Sequence, residues 1–158
     1  AGTCSHVRVI GVDLLPTLAE LARVTEPLPK GFEGGSFAAE LAGGGSAGVS
    51  RPRDEYVVHF PHYDKDPAGP SSAIFLGDFK LVHAYESGAL RLFDIAQDIR
   101  EHDDLAKERP DKVAELSRRL DDYLKAVNAQ MPVPDQNNDP SKPAETHSRE
   151  GKSKKGRY

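Results

Sequence analysis

The sequence has one cysteine, one methionine and no tryptophan in 158 residues. A single Cys4 excludes an internal disulfide framework and any cysteine-built zinc cage. No apolar run approaches the ~18–20 residues a membrane-spanning helix needs, so none is expected. No heptad pattern and no longer repeat is visible. Positive charge is not in excess either. Lys and Arg number 21 against 25 Asp and Glu, a formal charge of −4. That balance argues against a globally basic nucleic-acid binder. The first residues lack a basic stretch followed by an apolar one, so no secretory signal is expected in them.

Gly and Pro are plentiful, at 14 and 12 residues, and only 37% of the chain is hydrophobic. Mean hydropathy is −0.57. Part of the chain is therefore expected to stay outside a packed core. The charge is uneven: residues 130–158 carry six basic and four acidic groups, while the preceding 129 carry 15 and 21. The body is acidic and the tail is weakly basic.

Residues 1–11 read as an extended lead-in. Leu14, Leu15, Leu18, Leu21 and Ala22 then form one stripe at helical spacing, with Asp13 as N-cap and Pro16 in the first turn, which predicts a helix over 13–23. Residues 25–54 hold half of the glycines and read as a Gly-rich linker with one helical turn near Phe37–Leu41. Gly43-Gly44-Gly45 lacks the Lys-Ser/Thr that a phosphate loop would carry.

From Glu55 the period changes to two. Tyr56–Phe60, Ser72–Leu76, Phe79–Tyr85 and Leu90–Asp94 read as strands, with Gly77-Asp78 as a two-residue hairpin turn. Asp98 to Glu101 has capping-box spacing. Val113, Leu116, Leu120, Leu124 and Val127 give the final helix one apolar face from Pro110 to Ala129, closed by Pro132 and Pro134. The expected fold class is α+β: a small antiparallel four-stranded sheet packed by a C-terminal helix, preceded by a short helix and a Gly-rich loop. Its core is thin, and a further apolar surface outside this chain would complete it. Residues 131–158 are expected to be disordered.

Several groups could carry chemistry. Cys4 to Arg8 resembles the Cys/Ser-x-Pro-x-Arg motif of sulfatases, but His6 stands at the proline position. His59, His62, Tyr63, Asp64 and Asp66 form the densest cluster. A metal site there would need a sharp bend, because strand positions three apart face opposite ways. A structural aromatic and imidazole cluster, or a polar rim touching a substrate, are the other readings. Asp94, Asp98, Glu101, Asp103 and Asp104 read as turn caps and solvated charge, since the Gly of a calcium loop is missing. Lys80 and His83 read as surface and cross-strand groups. Lys152, Lys154, Lys155 and Arg157 make a short basic run in the tail.

The order of segments is more specific than any one motif. Asp13-Leu-Leu-Pro-Thr-Leu-Ala-Glu-Leu-Ala resembles the Asp-x-x-Pro-Thr-Leu helix of the sulfatase (arylsulfatase-like) family. Arg53-Asp-Glu-Tyr-Val-Val-His-Phe-Pro-His-Tyr is similar to that family's strand ending in Pro-His-Tyr. Ser72-Ala-Ile-Phe-Leu-Gly-Asp-Phe-Lys-Leu-Val resembles its Ala-Ile-Arg-x-Gly-Asp-x-Lys-Leu hairpin. Leu92-Phe-Asp-Ile-Ala-Gln-Asp-Ile-Arg-Glu, then Asp104-Leu-Ala, resembles its Leu-Tyr-Asp-Leu…Asn-Leu-Ala stretch. Leu76 stands where Arg is common, Arg23 follows Ala22 where the family often has Gly, and the Gly43–Gly45 insert is unusual.

The resemblance is to the last part of a sulfatase. It implies residues 1–24 as the end of an N-terminal catalytic domain, 25–54 as linker, 55–130 as the C-terminal subdomain and 131–158 as tail. It implies no catalytic residue and no metal ligand in this chain; nucleophile and calcium would lie in the missing N-terminal catalytic domain, the expected partner. A sulfate ester is the implied substrate of the parent enzyme, with His59, His62 and Tyr63 as its rim. Sulfatase activity is expected to be absent from the chain alone. A periplasmic or extracellular location follows from the resemblance only. Two other functions stay open: a stand-alone binding or interaction module with this subdomain fold, and an independent metal enzyme at His59, His62 and Asp64.

Overall fold

The computed structural model describes residues 4–44, 48–63 and 69–133. Residues 134–158 of the tail, with the basic run, and Asp64 and Asp66 lie outside them. Among the described residues six α-helices and β-strands follow in order, besides short helical turns at Gly11–Asp13 and Glu40–Gly44. They are α1 (Leu14–Leu21), β1 (Tyr56–Phe60), β2 (Ser71–Leu76), β3 (Phe79–Ala84), β4 (Leu90–Asp94) and α2 (Pro110–Ala126). The strands form one four-stranded sheet in the order β1-β2-β3-β4, as an α+β meander requires. The chain divides into two compact units. One is Ala1–Tyr56 with Phe75–Gly77, and the other is Val57–Ile74 with Asp78–Tyr158.

In the second unit the pattern of two decides the core. β3 pairs antiparallel with β4, and Leu81 lies opposite Leu92. Both are fully buried, as are Ile74, Leu116 and Leu120. α2 packs on β3, and its buried Leu116, Leu120 and Leu124 recur at every fourth position, which is one face of a helix. Arg109 and Lys112, at the start of α2, lie over the Phe79 ring, each 5.4 Å from its centroid. The outer edge of β4 is also engaged. Leu92 donates its N–H to the Asp104 carboxylate at 3.0 Å and accepts from the Leu105 N–H at 2.7 Å. That cover blunts a sheet edge.

α2 ends earlier than its proline punctuation suggests. Asn128 adopts φ +49. Its N–H bonds to the Lys125 carbonyl, and that of Ala129 bonds to the Leu124 carbonyl. This is a Schellman cap, in which a left-handed residue satisfies the last carbonyls. The capping-box spacing at Asp98 also resolves differently. Glu101 has φ +57, and its carboxylate pairs with Lys80 at 2.6 Å rather than with the backbone.

The first unit is built the other way round. Asp13 does not cap α1 with its side chain. Its fully buried carboxylate instead accepts from the Ile10 N–H, the Gly35 N–H and both Nε and Nη2 of Arg51, at 2.6–3.0 Å. Arg51 also donates to the Arg8 carbonyl at 2.9 Å. Thr17, equally buried, donates to the Asp13 carbonyl and accepts from the Phe37 N–H. The Arg51 guanidinium lies over the Tyr56 ring, which stacks on Phe75 with centroids 4.5 Å apart. The glycine-rich segment therefore makes specific contacts here. A Cβ on Gly34 would run into the Val12 carbonyl, and one on Gly35 into that of Ser50. The apolar stripe of α1 faces outward, with Leu14, Leu15, Leu18 and Leu21 between 49% and 60% exposed.

Candidate functional site

β1 carries the densest group of candidate residues. Alternation along a strand sends His59 to one face of the sheet and Phe60 to the other. On its face, His59 sits between Ser72 of β2 and the chain leaving α2. Its Nδ1 lies 2.6 Å from the Ser72 hydroxyl, and its Nε2 lies 2.8 Å from the Gln130 carbonyl. The Ser72 hydroxyl is 2.7 Å from the Tyr85 hydroxyl. A backbone carbonyl can only accept, so Nε2 carries a proton, and in the neutral imidazole Nδ1 accepts from Ser72. Ser72 then accepts from Tyr85, and each polar side-chain atom of the His59–Ser72–Tyr85 relay has a partner. Burial pushes the Tyr85 phenol above its ordinary range, so it remains a neutral donor. Both ring nitrogens of His59 are thus engaged, and Ser72 is fully buried. This trio holds β1, β2 and the exit of α2 together; it does not present a nucleophile.

His62 and Tyr63 lie beyond Pro61 on the exposed side. The His62 ring meets Phe60 edge to face, with centroids 5.8 Å apart. Tyr63 is 72% exposed and donates its hydroxyl to Glu86 at 2.6 Å. That bond to a carboxylate pushes the Tyr63 phenol above its usual range. The two imidazoles therefore have separate neighbours, and His59 and His62 do not converge on a common point. Among the described residues no group of three or more His, Cys, Asp and Glu could hold a metal ion.

The acidic loop has a structural task. Asp98 accepts the Arg100 and Asp103 N–H groups, and Asp94 accepts those of Ala96 and Gln97. Backbone N–H bonds, that of Asp103 foremost, hold the Asp98 carboxyl below the usual carboxylate range. Lys80 pairs with Phe93 in the sheet register and His83 with Leu90, on opposite faces. Cys4 is exposed, and the contact made by Arg8's backbone is with Arg51. Three contributors were missed in the sequence. Arg51 was signalled by Asp13 in an apolar stretch, because a buried carboxylate needs a cation. Ser72 was signalled by a hydroxyl in an apolar strand. Glu86 left no signal, because its partner lies 23 residues away.

No family model matches the chain. A protein of Formosa agariphila called sulfatase is 29% identical over 123 residues, covering 73% of this chain and 22% of its own length. Among solved structures, a 2-O GAG sulfatase superposes with a TM-score of 0.57 at 27% identity, over 74% of this chain and 25% of that one. A protein solved with its substrate D-glucosamine-2-N,6-O-disulfate gives 0.58 at 26% identity, over 84% and 27%. Among the described residues no helix is long and apolar enough to cross a membrane. In sequence and in fold this chain is related to sulfatases, and it spans about a quarter of the length of the relatives it matches.

Proposed function

We propose that the chain is the C-terminal part of a sulfatase, whose sheet and α2 form the small subdomain and whose α1 docks on the catalytic body. The supporting observation is the outward apolar face of α1. Leu14, Leu18 and Leu21 are each more than half exposed, and Val9, Val12, Val24 and Leu41 add to the surface. Soluble monomers rarely leave so many large apolar side chains in water along one stretch. The relatives supply an occupant of the right kind, because three-quarters of their length has no counterpart here.

In this reading hydrolysis of the sulfate ester belongs to the catalytic body. So does calcium: Asp94, Asp98 and Asp104 accept backbone N–H bonds, and the described residues offer no cation cage. The contribution of this chain is a rim for the substrate at the end of β1. His62 and Tyr63 reach outward, and His59 fixes the strand end through Ser72 and Gln130. The compartment of the parent would be periplasmic or extracellular.

Two measurements test this. The purified chain with an aryl sulfate and calcium should give no turnover above background, and clear turnover refutes the reading. The same chain should bind the Formosa relative's catalytic portion prepared without its matched segment. The triple change Leu14→Ser, Leu18→Ser and Leu21→Ser should weaken that binding at least tenfold, the effect of losing a few buried apolar side chains.

A further inference from the structure

The chain leaving α2 is tied to the sheet by an imidazole. The cap that ends α2 closes with the Ala129 N–H on the Leu124 carbonyl. One residue further on, the Gln130 carbonyl accepts from His59 Nε2 at 2.8 Å. Behind the ring stand Ser72, 2.6 Å from Nδ1, and Tyr85, 2.7 Å from the Ser72 hydroxyl. Ser72 is 1% exposed, so its hydroxyl depends on these two partners.

We propose that His59 is a pH-sensitive latch that binds the chain leaving α2 to β1 more tightly once its imidazole is charged. A neutral ring has one donor and one acceptor, and here the donor serves Gln130 while the acceptor serves Ser72. A charged ring has two donors. Ser72 then accepts from Nδ1 and turns its own proton to the Tyr85 oxygen. The Tyr85 proton swings out to solvent, since Tyr85 is only half-buried. The relay reverses and leaves no buried donor idle, so charging does not break it. The bond to Gln130 meanwhile becomes charge-assisted, and such bonds are about twice as strong as neutral ones. Half-burial of His59 opposes the charge. From α2, Asp121 favours it: the Asp121 carboxylate acts on Tyr85, whose ring meets His59 edge to face with centroids 6.1 Å apart. From β3, His83 lies 4.7 Å from the Tyr85 ring and opposes the charge when it is itself protonated. β2 brings the neutral Ser72 hydroxyl.

NMR of the full chain tests this from about pH 8 to about pH 5, where imidazoles titrate and ordinary carboxylates stay ionised. At the upper end His59 should carry its proton on Nε2. On acidification the Gln130 carbonyl carbon should shift in step with the His59 ring nitrogens. Exchange of the Ala129 amide, corrected for its intrinsic pH dependence, should slow about five-fold. His59→Gln offers one donor and one acceptor without a titrating group, so it should keep Ala129 protected and lose the pH step. His83→Gln should keep the step. A proton on Nδ1 at the upper end overturns the proposal, as does a Gln130 carbonyl that ignores the His59 titration. So do unchanged or faster Ala129 exchange in acid, a step that survives in His59→Gln, and a step that vanishes in His83→Gln. None of these readouts involves turnover or a catalytic body, so the latch and the sulfatase reading stand or fall separately.

Discussion

The two units solve burial in opposite ways. In the unit that holds β3, β4 and α2, leucines and isoleucine fill the interior and charges line the outside. In the unit that holds α1, Asp13 and Thr17 are among the most deeply buried of the described side chains, beside the small apolar Pro16 and Ala38, while the leucines of the helix lie in water. Both helices carry an apolar stripe at the same spacing, so periodicity alone does not say which stripe is covered. The difference teaches what holds each unit. One rests on apolar area removed from water. The other rests on a buried ion pair whose attraction must offset the desolvation of both partners.

The hardest blow to that contrast is removal of the buried carboxylate. Asp13→Ala leaves Arg51 and two backbone N–H groups facing an empty site, and an uncompensated buried charge costs about 3–5 kcal/mol. Hydrogen-exchange protection at the Gly35 and Phe37 amides, which bond to Asp13 and Thr17, should collapse. Full retention of that protection would show that the unit does not lean on the pair. The pH dependence has a definite sign. Burial pushes the Asp13 carboxyl up, but the Arg51, Gly35 and Ile10 hydrogen bonds outweigh it and leave the value lowered in the folded chain. Its stabilisation is fully present above the unfolded carboxylate value and fades as pH falls through the lower folded one. The stability gap between wild type and Asp13→Asn should therefore be widest near neutrality and close below about pH 4.

The next comparison applies one substitution to both helices. Leu120→Ala removes a fully buried side chain and should cost about 2–5 kcal/mol in urea unfolding followed by circular dichroism. Leu18→Ala removes one that is 60% exposed, and should change stability by no more than about 0.5 kcal/mol. Equal losses would mean that the α1 stripe is covered within this chain.

Much of this fold was legible in the sequence because its signals are local. Alternation marked all four strands, Gly77-Asp78 marked the hairpin, and the leucines of α2 marked its buried face. The ordered set of segments from Asp13 to Ala106 gave the relation to sulfatases. What stayed hidden depends on distant partners. Asp13 reads as a helix cap from its neighbours, yet its partner Arg51 is 38 residues on. Likewise Gly34 and Gly35 read as linker until the Val12 and Ser50 carbonyls are seen against them. The end of β1 was only half legible: His59, His62 and Tyr63 stand out by residue type, but Ser72, Gln130 and Glu86, which engage His59 and Tyr63, do not.

The smallest effect sharpens the same contrast at the end of α1. Arg23 adopts φ +56, its N–H bonds to the Glu20 carbonyl, and that of Val24 bonds to the Ala19 carbonyl. This is the cap that closes α2, with arginine in the left-handed position where a side chain carries a steric penalty. Glycine has none, although it gives the unfolded chain more freedom. Arg23→Gly should therefore stabilise the first unit by about 0.5–1 kcal/mol, read as slower exchange of the Val24 amide. A matching Asn128→Gly change in α2 should gain less, because asparagine tolerates the left-handed region better than arginine does. A loss of stability in Arg23→Gly would mean that the arginine side chain makes a contact worth more than the strain it relieves.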